Sequence, residues 1–187
     1  MRFTPTPKYS ETNHDSKSQR PLVWGLIRSF FFGMLAALGA LFSQMLVSLF
    51  FAGPQDLDGL FFSQMTPLLA VASLLEEIFI FIFSYENFRE IKTVSRKEIT
   101  YNSVLLGLGF SFVELFFTFS GLSGEMDNLS FALPFLGIIL IHIATASIIG
   151  YSLAKARTIN LAFIARTISA VFLIHLIYNS LVIYNVL

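Results

Sequence analysis

A polytopic all-α membrane protein is the fold class this sequence predicts, and three observations predict it. Of 187 residues, 55% are hydrophobic and only 13% charged, against about 25% charged in a soluble domain. Apolar runs long enough for a helix to cross the hydrocarbon, about 20 residues, recur five times. The charges, which sum to zero, are segregated along the chain with a fixed alternation.

The elements follow in order. Residues 1–21 are polar, carry Pro5, Pro7 and Pro21, and lack apolar periodicity, so they read as a disordered cytosolic tail. Residues 29–52 run for 24 positions without a charge. That is too long for the apolar core of a signal peptide, and the reading is a retained first span. Four more spans are expected at 60–84, 99–122, 129–154 and 166–187, so that 22–187 forms one transmembrane helical domain. Short polar connectors separate them.

Basic residues set the expected orientation. Arg2, Lys8, Lys17, Arg20 and Arg28 precede or open span 1. Arg89, Lys92, Arg96 and Lys97 lie between spans 2 and 3, and Lys155, Arg157 and Arg166 between spans 4 and 5; these are all 12 basic residues. The other two connectors carry Asp56, Asp58, Glu125 and Asp127. Five spans with a cytosolic N-terminus satisfy this alternation throughout. With no basic excess, nucleic acid is not an expected partner. The absence of cysteine excludes a disulfide framework and thiolate metal sites.

Inside the spans, five ionisable residues remain: Glu76 and Glu77 in span 2, Glu114 in span 3, His142 in span 4 and His175 in span 5. Each is costly in hydrocarbon and calls for a partner or a wet cavity, so a shared site is expected. Helical spacing places Ser73, Glu76, Glu77, Ile80 and Ser84 on one side of span 2. It groups Ser103, Gly107, Ser111, Glu114 and Thr118 on span 3, and His142, Thr145, Ala146 and Gly150 on span 4. On span 5 it groups His175, Tyr178, Asn179 and Val182. With 1.5 Å rise per residue, Glu76 is expected roughly 12 Å from the cytosolic end of its span. Tyr178 is read as packing. The Gly33/Ala37 and Ala36/Ala40 spacings in span 1 are read as marks of helix pairing.

Hydrolysis of an amide inside the membrane fits this set of residues. A carboxylate takes a proton from water and delivers it to a leaving group. A histidine orients that water or protonates the leaving amine, and the Asn179 amide is a donor for a developing oxyanion. Four ordered elements then carry a resemblance: Glu76-Glu77; Gly109-Phe110 through Glu114; His142 with Thr145 and Gly150; and His175 through Asn179. Together they resemble the motifs of the PrsW family of intramembrane proteases, distant relatives of the CAAX prenyl proteases, over roughly residues 73–182.

The resemblance implies a helical membrane protease of the bacterial cytoplasmic membrane. Its substrate would be a membrane-embedded or membrane-anchored protein, such as an anti-sigma factor. It implies that Glu76 activates water with support from Glu77, and that Glu114 occupies the place where the CAAX relatives carry histidine. It further implies that His142 positions water or substrate while His175 and Asn179 stabilise the tetrahedral intermediate. Two positions depart from the pattern: Ile80 and Phe81 stand where the family has a basic residue, and Leu115 where it often has Asn. The expected mechanism needs no cofactor. Zinc on His142, His175 and Glu114 is the alternative, although no HExxH pattern exists. A proton-coupled carrier and a non-catalytic relative that binds membrane proteins are the competing functions.

Overall fold

The computed structural model describes residues 22–51, 67–89, 96–121, 128–156 and 158–186. The tail at 1–21 and the connectors at 52–66, 90–95 and 122–127 lie outside the described residues. Five helices make up the fold: α1 (Leu22–Phe51), α2 (Pro67–Arg89), α3 (Arg96–Gly121), α4 (Asn128–Lys155) and α5 (Leu161–Val186). Each is long and apolar enough to cross a membrane, which marks an integral membrane protein.

The helix limits differ from the expected spans for local reasons. α1 opens seven residues earlier than expected and so includes Arg28, whose guanidinium lies 5.0 Å from the ring centre of Phe32, a favourable cation–π position. α5 opens five residues early because Asn160 Oδ1 accepts the Phe163 N–H at 2.9 Å and so caps its N-terminus. α2 starts on Pro67, a residue suited to the first helical turn. It continues past residue 84 to Arg89, a cation that complements the helix C-terminus. Measured from Arg89, Glu76 is about 20 Å along the helix axis, against roughly 12 Å from residue 84.

α2 touches all four other helices, α1 packs on α2 and α3, α3 packs on α4, and α5 lies against both α2 and α4. Small residues make the α1–α3 crossing close. A Cβ on Gly33 would overlap the Leu106 carbonyl, and one on Gly109 would overlap the Phe30 carbonyl. Ala36, Ala37 and Ala40, on the same helix, are fully buried in the core. The outward faces carry Phe31, Phe42, Phe112, Phe116, Leu173 and Ile177, surfaces suited to lipid.

Two buried layers lie between the site and the N-terminal end of α1. Nearest the site is an apolar floor that includes Ile80, Leu106, Phe110, Ala146, Ile149 and Val171. Two hydroxyls near this depth turn back to their own helices, Ser103 Oγ to Ile99 O at 2.8 Å and Ser111 Oγ to Gly107 O at 2.9 Å, while the buried Ser84 Oγ has no hydrogen-bond partner. Beyond it is a polar clamp. Asn87 Nδ2 donates to Ser29 Oγ at 2.7 Å, and Ser29 Oγ meets Asn102 Oδ1 at 3.1 Å, tying α2, α1 and α3 together.

Candidate functional site

The antiparallel order of the helices brings all five intramembrane ionisable residues to one depth. Adjacent residues on a helix diverge by about 100°, yet Glu76 and Glu77 both reach His175, because they approach different edges of its ring. Glu77 Oε1 lies 2.8 Å from His175 Nδ1, and Glu76 Oε2 lies 3.3 Å from His175 Nε2. Glu77 is fully buried, while Glu76 retains 13% side-chain exposure. A histidine held between two carboxylates has its orientation set from both sides.

The second pair joins α4 to α3. His142 Nε2 hydrogen-bonds Glu114 Oε2. Gly107 permits this approach, because a Cβ there would overlap the His142 carbonyl. Phe110 packs on the His142 ring at a centroid distance of 4.4 Å, and the His142 and His175 rings meet edge to face at 5.1 Å. Glu114 keeps 27% side-chain exposure, more than any of the other four, against none for His142. The cluster therefore opens, as far as it opens, on the α3 side.

Asn179 is tied to α2: its Nδ2 donates to Ser73 Oγ at 2.9 Å. This contact sits one turn from the glutamates and locks α5 onto α2 beside them. Tyr178 is half-buried, with its hydroxyl against Gly137 of α4, where a Cβ would not fit.

One site residue escaped the sequence reading. Gln44 of α1 donates from Nε2 to Glu76 Oε1 at 2.8 Å. Its signal was its place on the small-residue stripe Gly33, Ala36, Ala37, Ala40, which continues to position 44 at helical spacing. The positions without a basic residue, Ile80 and Phe81, belong to the core.

For a metal, the geometry changes the expected ligand set. Glu76, His142 and His175 each offer one ligand atom, all within 4.8 Å of one another. Glu76 thus replaces Glu114 as the third residue, because the Glu114 carboxylate is engaged with His142 Nε2. His142 Nδ1 and Glu76 Oε2 are buried without a hydrogen-bond partner, and each histidine has its other nitrogen on a carboxylate, as metal-ligating histidines commonly do. The 3.3 Å between Glu76 Oε2 and His175 Nε2 is close to the separation, about 3.4 Å, of two ligands on a tetrahedral zinc. These residues fit a zinc-type ion.

No protein-family model, curated protein or solved structure matches the chain.

Proposed function

We propose that the chain is an intramembrane endopeptidase similar to the PrsW type. In this reading its N-terminus lies in the cytosol of a bacterium, and it hydrolyses a peptide bond in a membrane-embedded or membrane-anchored protein. The observation that carries the proposal is the two-carboxylate grip on His175, beside a second buried Glu–His pair at the same depth. Five ionisable groups in an apolar bundle are costly, and hydrolysis uses them all.

Glu76 Oε2 takes a proton from a water molecule as the water oxygen attacks the scissile carbonyl. The carbonyl oxygen receives the negative charge, facing the second N–H of the Asn179 amide. The proton then passes to the leaving nitrogen as the C–N bond breaks. Glu77 fixes the ring of His175, and Glu114 fixes His142 against the substrate.

The test compares new protein N-termini in membranes containing wild type or Glu76→Gln/Glu77→Gln, matched for expression. Termini that appear only with wild type are expected. Their absence moves the reading to a partner-binding relative or a proton-coupled carrier, which proton flux into liposomes then separates.

A metal-dependent form of the same reading is favoured by the unpartnered His142 Nδ1. Glu76, His142 and His175 would hold a zinc ion, which polarises a carbonyl and activates water. In the metal-free mechanism cleavage persists after chelation of the purified protein. One zinc per chain, lost in His142→Ala and His175→Ala together with activity, would establish the metal form instead.

A further inference from the structure

Three carboxylates share this site, and among the described side chains no lysine or arginine stands with them. Among the described side chains, lysine and arginine occur only in the first or last two turns of helices: Arg28, Arg89, Lys97, Lys155 and Arg166. A carboxylate in apolar surroundings needs hydrogen-bond donors to hold it. Glu77 and Glu114 each have a histidine for this purpose. For Glu76 the 2.8 Å donor is Gln44.

The contact is built from the backbone outward. The close crossing of α1 on α3 at Gly33 and Gly109 sets the height of α1 in the bundle. Eleven residues after Gly33, on the same face, stands Gln44. Its Nε2 reaches Glu76 Oε1 at 2.8 Å and lies 3.5 Å from the Ala72 carbonyl, one turn earlier on α2. An amide group set against both a side chain and the backbone of one helix has little rotational freedom. With Oε1 engaged, the other oxygen, Oε2, is the one directed at His175 Nε2.

We propose that Gln44 is a positioning residue: it turns the Glu76 carboxylate so that Oε2 faces the histidines, and it makes α1 a working part of the site rather than an anchor. The effect on turnover rests on the hydrolytic reading above; the orientation of Glu76 does not. A neutral amide suits the task because it directs the carboxylate without adding a charge.

Two measurements test this. The protein has four glutamines (Gln19, Gln44, Gln55 and Gln64), so side-chain amide labelling with nitrogen-15 in micelles gives few signals, and Gln44→Leu identifies the relevant one. That signal is expected to exchange slowly with water and to move in Glu76→Gln. In the cleavage assay, Gln44→Leu is expected to lower kcat by about 10- to 100-fold, the worth of a charge-assisted hydrogen bond, with KM held within about two-fold.

An amide signal indifferent to Glu76→Gln overturns the proposal, as does a normally folded Gln44→Leu protein with wild-type kcat. If wild type cleaves nothing while the amide still follows Glu76, the hydrolytic reading fails and the orienting role of Gln44 is upheld.

Discussion

His175→Ala is expected to abolish cleavage and to loosen the fold together, whereas Glu76→Gln abolishes cleavage alone. The side chain of His175 is 2% exposed and meets both glutamates. Without it, Glu77 is a fully buried carboxylate stripped of its 2.8 Å partner, with its second oxygen already unpartnered. Breaking a buried pair from one side costs about 3–5 kcal/mol. Glu76→Gln keeps the shape of the side chain and its Gln44 neighbour, so stability changes little. Both variants should lose at least about 10²–10⁴ in turnover, the usual share of a general acid or base. Thermal unfolding in detergent, followed by circular dichroism, separates them. His175→Leu combined with Glu77→Leu should regain stability without activity, since an apolar pair can replace a buried ionic one at small cost. Equal thermal losses for His175→Ala and Glu76→Gln would refute this account of the site.

The second large effect lies away from the site. Gly33→Ala and Gly109→Ala each place a methyl group into a backbone carbonyl across the α1–α3 crossing, and a carbonyl cannot swing aside as a side chain does. Overpacking of this kind costs about 1–3 kcal/mol. The expected result is a lower unfolding midpoint and, through Gln44, reduced turnover in what remains folded. Gly25→Ala is the comparison on the same helix. There the nearest atom to a new Cβ is Asn102 Oδ1 at 3.7 Å, an ordinary contact, so its stability should stay within about 0.5 kcal/mol of wild type. A Gly25 variant as damaged as the other two would show that α1 responds to any added methyl, not to the crossing.

Much of the architecture was legible because hydropathy acts over whole helices. Five apolar runs became five helices, and the shifts at their ends trace to single residues such as Asn160 and Arg28. The members of the site were legible for a related reason: Glu76, Glu77, Glu114, His142 and His175 are conspicuous in a lipid-compatible sequence. Their pairing was not. Which carboxylate meets which ring nitrogen depends on the rotation of each helix about its axis, and helical spacing resolves that only to a face. The exchange of Glu114 for Glu76 in the metal-competent group has this origin. Gln44 was missed because a neutral amide does not stand out as a charge does. The motif resemblance also began only at residue 73, leaving α1 without a role.

The floor formed by Ile80, Leu106, Phe110, Ile149 and Val171 has an electrical consequence. A bilayer that carries a voltage is discharged by any unbroken chain of proton-exchanging groups running through it. The Glu/His cluster alone would be half of such a chain, and the Ser29–Asn87–Asn102 clamp could serve as its far terminus. Mostly apolar side chains lie between them; the neighbouring Ser103 and Ser111 hydroxyls are turned onto their own backbones, and the Ser84 hydroxyl, buried on α2 between Ile80 and Asn87, has no hydrogen-bond partner. A hydroxyl with no hydrogen-bonded neighbour does not complete such a chain, so under the hydrolytic reading protons are expected to move within the cluster without discharging the membrane.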